Sequence, residues 1–332
     1  MNTSVLNTFR LGFPWQTEDP FLFCVHHLDH YPRGNEEMGP DAPLTGRPLG
    51  NDFEIRDGWR MYHGTTIPGF PSHPHRGFET ITIVTRGFCD HSDSLGASAR
   101  FGQGDVQWMT AGRGVQHSEM FPLLNREGPN KLEMFQTWLN IPASAKLAEP
   151  YFEIFWNEEI PTLEQDGVHL TLVAGALSGL QAPSPPPDSW AANPEHDVLL
   201  ALVEMGPGTT FELPPARAGI RRSLFLFEGA ELLLDGQVLK KGYGASLWEG
   251  PVKLGNKTGE AARFLWLQGM PVGEPVAKYG PFVMNRQEEI QRALEEYRLT
   301  SFGGWPWPYP DHAHPREKGR FAQYPDGRLV EK

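Results

Sequence analysis

Imidazoles and carboxylates bind transition metals and move protons near neutral pH, and four of them occur here as two pairs of equal spacing. His73 and His75 are two apart in His73-Pro-His-Arg-Gly-Phe-Glu-Thr80, and His117 and Glu119 are two apart in Gly104-Asp-Val-Gln-Trp-Met-Thr-Ala-Gly-Arg-Gly-Val-Gln-His-Ser-Glu119. In extended backbone, residues i and i+2 point to one face. Two such segments side by side would aim three imidazoles and one carboxylate at a common point, which is a metal site. With twelve histidines in the chain, one His-x-His pair arises readily by chance. The second pair, placed after the flexible Gly112 and Gly114, is what turns the coincidence into a site. Three nitrogens and one oxygen suit one divalent transition metal (Fe, Mn, Ni, Cu, Co or Zn) and lack the thiolates of structural zinc. Four protein ligands on a metal that prefers six leave two positions open, which favours chemistry over a purely structural ion.

The elements that must position these residues read as strands. After the first pair, Thr80 and Thr82 alternate with Ile81 and Ile83 at the period of a half-buried strand. Pro74 lacks an N–H and suits a strand start or edge. Short runs follow at 88–92, 97–101, 105–110 and 132–141, joined by glycine-rich turns, and predict an antiparallel barrel or jelly roll. Trp108 reads as core. The pattern breaks at Pro142, Pro150 and Pro161, then strand-like runs resume at 169–174, 198–205, 222–228, 231–234 and 263–267. This second set has no His-x-His. The fold class is all-β with two barrels. The division runs 1–145 for the metal-binding barrel, 146–285 for a barrel without metal, and 286–332 for a helix and a proline-rich tail. The helix is expected over 286–297, from the spacing of Ile290, Ala293, Leu294 and Tyr297.

Other histidines carry weaker signals. His26, His27 and His30 follow the buried run Phe21–Val25 and are assigned structural or supporting roles. His312 and His314 lie in the tail Gly303-Gly-Trp-Pro-Trp-Pro-Tyr-Pro, which is read as extended chain laid on the body rather than a second site. Residues 1–20 read as irregular, and residues 32–52, rich in Pro, Gly and Asp, as a loop over one barrel opening.

Composition narrows the function. The net charge of −12 argues against direct nucleic-acid binding, which draws on phosphate neutralisation. The cluster Arg217, Arg221 and Arg222 reads as a solvated loop. Glycine (36) and proline (31) make up about a fifth of the chain against roughly 12% on average, which fits many strands joined by tight turns. No run approaches the roughly 18 apolar residues needed to cross a bilayer, and no membrane partner is expected. The first residues lack the basic and apolar regions of a signal peptide. Cys24 and Cys89 read as buried free thiols, which suits a cytoplasmic protein.

His73-Pro-His-Arg-Gly-Phe-Glu-Thr, Gly104-Asp-Val-Gln-Trp-Met-Thr-Ala-Gly and His117-Ser-Glu-Met resemble the pirin family of the cupin superfamily. Asp19-Pro-Phe-Leu, Leu28-Asp-His and Gly280-Pro-Phe-Val-Met-Asn extend the resemblance over about residues 10 to 300. It implies a bicupin with one metal, Fe(II) first, held by His73, His75, His117 and Glu119. The wider cupin pattern would use the carboxylate of Glu79, which the resemblance leaves near the metal or beside its ligands. It implies a dioxygenase of the quercetin 2,3-dioxygenase type, with a small planar enol or flavonol and O2 as substrates. Independently of the resemblance, a carboxylate at such a site can take a proton from a substrate hydroxyl, which makes Glu119 the candidate catalytic base. The alternative it implies is a metal- or redox-sensing protein that acts on a protein partner.

Overall fold

The computed structural model describes residues 4–332. Strands dominate and gather into two compact units. One unit comprises residues 26–137, 142–157 and 274–332 and carries the paired histidines; the other comprises residues up to 25, 138–141 and 158–273.

The histidine-bearing unit is built on two sheets. One orders Tyr151–Phe155, Val106–Thr110, Phe78–Arg86, Asn130–Asn140 and Phe21–Tyr31, of which residues 130–137 and 26–31 of the last two strands fall in this unit. The other orders Leu329–Glu331, Phe321–Gln323, Ser98–Gly102, Phe88–Asp93, Val115–Met120 and Gly69–His75. Side chains meet across the gap between them. His91 of the second sheet stacks on Phe152 of the first with ring centroids 4.7 Å apart, and Thr82 of the first reaches Glu119 of the second. Tyr31, Trp59, Met61, Phe101, Phe121 and Phe152 belong to the buried core of this unit. The segment read as a loop over 32–52 is anchored to it. Arg47 pairs with buried Asp52 at 2.8 Å and lies over Trp59, and the chain beyond inserts Trp59, Met61 and Tyr62 into the core.

The other unit repeats the architecture with a different filling. Its larger sheet orders Val5–Arg10, Tyr243–Leu247, Arg221–Glu228, Ala262–Gly269, Leu199–Met205, Val168–Ala174 and Thr162–Gln165. Its smaller sheet orders Thr210–Leu213, Val252–Gly255, Glu231–Leu234 and Gln237–Lys240. Leu170, Leu213, Leu232, Leu254, Phe264 and Trp266 are among the apolar side chains of its interior. Arg222, expected in a solvated loop, is instead fully buried in a strand and donates to the carbonyls of Trp248 and Gly250.

The units differ from a linear division at residues 145 and 285, because strand pairing rather than chain order decides membership. Val5–Arg10, in a stretch expected to be irregular, pairs antiparallel with Tyr243–Leu247 and joins the second barrel; residues 1–3 of that stretch lie outside the described residues. Residues 274–332 belong with the histidines. The helix runs Gln287–Thr300, buries Ile290 and Ala293, and begins where Glu289 Oε2 accepts the backbone N–H groups of Asn285 and Arg286. Beyond the extended tail the chain returns to the sheet. Phe321–Gln323 pairs with Ser98–Gly102 and Leu329–Glu331 pairs with Phe321–Gln323, around the turn Pro325-Asp326-Gly327.

Candidate metal centre

The two histidine pairs arrive on adjacent antiparallel strands. Gly69–His75 lies beside Val115–Met120 with His73 opposite His117. The register shifts between Phe70 and His73, the kind of irregularity that re-aims side chains at the end of a strand. Gly77 makes the turn that follows. Its φ is +83°, and a Cβ there would lie 2.0 Å from the Val283 carbonyl oxygen, so no other residue fits. The ligand atoms of His73, His75 and His117 all lie within 4.8 Å of one another, and this is the group of metal-ligating type found among the described residues.

The three rings are prepared for a cation. Burial lowers the proton affinity of all three, bringing His73 down to about 4 and His75 and His117 well below the usual value. They are therefore neutral imidazoles at pH 7, with lone pairs available. The Pro71 carbonyl sits 2.9 Å from His73 Nδ1. A carbonyl only accepts, so Nδ1 carries the proton and Nε2 is the free lone pair. His117 supplies the sharpest test of fit. It is fully buried, and neither ring nitrogen has a hydrogen-bond partner. Leaving a buried polar group unsatisfied costs about 1–3 kcal/mol, and a metal at the meeting point of the rings would satisfy one nitrogen. The residues fit a divalent transition metal.

Glu119 stands at the edge of this group. Its Oε2 is 3.8 Å from His117 Nε2. Both carboxylate oxygens accept from Gln136 Nε2, at 2.9 and 2.8 Å, and Oε1 accepts from Thr82 Oγ1 at 3.4 Å. Burial raises its pKa, and the bonds from Gln136 and Thr82 oppose that rise. The side chain therefore lies beside the imidazoles but is held by the facing sheet. Sequence reasoning overlooked Gln136 and Thr82. For Gln136 the available signal was a polar side chain on the face that also carries Leu132, Met134 and Trp138.

Glu79 does not share this face. It lies in the same strand as Thr82 at opposite parity, and it accepts from Thr110 Oγ1 at 2.6 Å. Alternation along a strand sends Glu79 to the other side of the sheet, together with Trp108, the register partner of Ile81. The expectation that Glu79 lies near the metal is corrected. His26 stacks on Phe135, and His27 Nδ1 lies 2.8 Å from the Tyr62 hydroxyl, which donates to Asp29. His314 Nε2 lies 3.1 Å from the His91 carbonyl, and His312 stacks on Trp307. None of these joins the triad.

Sequence comparison matches the pirin family over residues 47–139 and the pirin C-terminal cupin domain over residues 200–303. A pirin-like protein of Solanum lycopersicum is 35% identical over 245 residues, covering 71% of this chain and 77% of that one. The chain belongs to the pirin family. Human pirin is 33% identical over 247 residues, covering 73% of this chain and 80% of that one. A Pseudomonas aeruginosa pirin relative, named as a candidate quercetin 2,3-dioxygenase, is 37% identical over 237 residues, covering 70% of this chain and 79% of that one. Among solved structures, the quercetin 2,3-dioxygenase of Acinetobacter baumannii shares the fold with a TM-score of 0.70 at 25% identity, over 91% of this pirin and 98% of that chain.

Proposed function

We propose that this pirin is a metal-dependent dioxygenase that opens small planar enols of the flavonol type with O2 and loss of carbon monoxide. The observation that carries the reading is the convergence of three neutral imidazoles beside a carboxylate that is not fully committed to them. The names of the Pseudomonas and Acinetobacter relatives support the substrate class. His73, His75 and His117, with Glu119, would hold one divalent ion, Fe(II) first, which when bound supplies Lewis acidity and redox chemistry. Phe70 and Phe78 pack beside the imidazoles, with ring centroids 6.2 Å from His73 and 5.1 Å from His75. Glu119, held by Gln136, takes the enol proton.

A second reading, a metal- or redox-sensing protein acting on a protein partner, draws on one observation. His75, His117 and Glu119 are all buried, with 3% or less of their surface exposed. Glu119→Gln keeps the size and an oxygen donor but removes the proton acceptor. With both proteins reconstituted with iron, flavonol consumption and carbon monoxide release are expected to fall by about 10²-fold or more in the variant. Equal rates would remove Glu119 from the chemistry. Absence of turnover by the wild type with any of the candidate metals would favour the sensing role.

A further inference from the structure

Gln136 does more than satisfy a buried carboxylate. Its Nε2 lies 2.9 Å from one oxygen of Glu119 and 2.8 Å from the other. A carboxylate only accepts, so the amide nitrogen faces it. Near-equal distances put that nitrogen on the plane midway between the two oxygens, bonded to both. A cation chelated by the carboxylate would lie on the same plane and need the same two oxygens. Thr82 takes a further site on Oε1, leaving the Oε2 edge turned toward His117, 3.8 Å away. Among the described residues, the three histidines form the metal-binding group without Glu119.

We infer that Gln136 is a positioning residue that competes with the metal for Glu119. It blocks chelation and limits the carboxylate to one oxygen as a weak, releasable ligand. The inference rests on the proposed metal site and deepens it, because a carboxylate with a ready hydrogen-bonding partner can leave the ion and act on a substrate proton. Structural damage and competition predict opposite signs. A purely supporting hydrogen bond to a ligand, once lost, lowers metal affinity, typically 10–100-fold. Loss of a competitor raises it.

The test is the affinity of the metal-free protein for Fe(II), measured anaerobically by competition with a chelator, and for Ni(II) as a redox-stable probe. Gln136→Met keeps the length of the side chain and removes both donors. Its affinity is expected to rise on the order of 10-fold, with no gain when Glu119 is already Gln, since a carboxylate is then absent. Thr82→Val, which removes the weaker contact, is expected to move affinity the same way by less. Unchanged or weakened binding in Gln136→Met, or a gain that persists in the Glu119→Gln background, would overturn the inference. Failure of the metal reading itself looks different, because the wild type would then bind no better than His117→Ala.

Discussion

Lys146 is the residue whose environment makes the plainest demand on pH. It is buried, and its Nζ donates to the Gly77 carbonyl at 2.7 Å, just behind the turn that follows His75. Burial pulls its pKa from 10.5 down to about 8, against the opposing pull of Glu274 and Glu289. Between about pH 8 and the unfolded value, the unfolded chain holds a proton that the folded chain has released. Unfolding free energy therefore rises with pH in that window, by at most about 1.4 kcal/mol per unit, and is flat below it. Urea denaturation of the metal-free protein is expected to show the wild type gaining stability relative to Lys146→Met from pH 8 to 9.5. Parallel curves would mean that the ammonium is not buried. At this scale the sequence was legible where spacing determines direction. The i, i+2 pairs put His73, His75 and His117 on one face because strand geometry allows little else. Gln136, Thr82 and Lys146 were not legible, since each acts through a partner at least seventeen residues away in sequence.

The C-terminal tail is the element whose hold is most explicit. Arg100 and Asp90 are fully buried register partners in adjacent strands, joined by bonds of 2.7 Å from Nε to Oδ1 and from Nη2 to Oδ2. The same guanidinium donates to the carbonyls of His314, Pro315, Arg316 and Lys318, and Asp90 accepts the His314 N–H. The planar fork of arginine suits this work, holding a carboxylate and a curved stretch of backbone together. Breaking a buried pair by removing one partner typically costs 3–5 kcal/mol, because the other charge is left uncompensated. Arg100→Met is expected to lose about that much stability in urea denaturation, with hydrogen exchange speeding up first in residues 305–320. Retained protection of that stretch would show that its tryptophans, rather than Arg100, hold it. The longer strands could be read from alternation and turn residues, including the apolar runs of both barrels. The hairpin Phe321–Gln323 and Leu329–Glu331 could also have been read, because Pro-Asp-Gly is a turn signal. The proline-rich stretch before it hid the return to the sheet. Val5–Arg10 was missed for another reason: a six-residue strand with mostly exposed side chains has little periodicity to show.

At the scale of the whole molecule, two barrels of similar architecture differ in what fills them, and that difference predicts a metal stoichiometry. In the histidine-bearing unit, imidazoles, Glu119, Gln136 and Thr82 face one another between the sheets. In the other unit the buried cluster is hydrocarbon, with Leu213, Leu232 and Leu234 from the smaller sheet and Trp266 from the larger. A divalent ion cannot leave water for such a place, since burying an uncompensated charge costs far more than folding free energy can supply. The full chain is therefore expected to take up one transition metal per molecule, counted by elemental analysis after removal of loosely bound ions. His117→Ala is expected to take up essentially none under the same conditions. Its metal-free fold should melt close to the metal-free wild type, because the imidazole it removes makes no hydrogen bond at either nitrogen. The metal-loaded wild type should melt higher than both, since an ion that binds only the folded chain stabilises it by mass action. A full equivalent of metal remaining in His117→Ala would place the site elsewhere, and two equivalents in the wild type would show that the second barrel binds an ion after all.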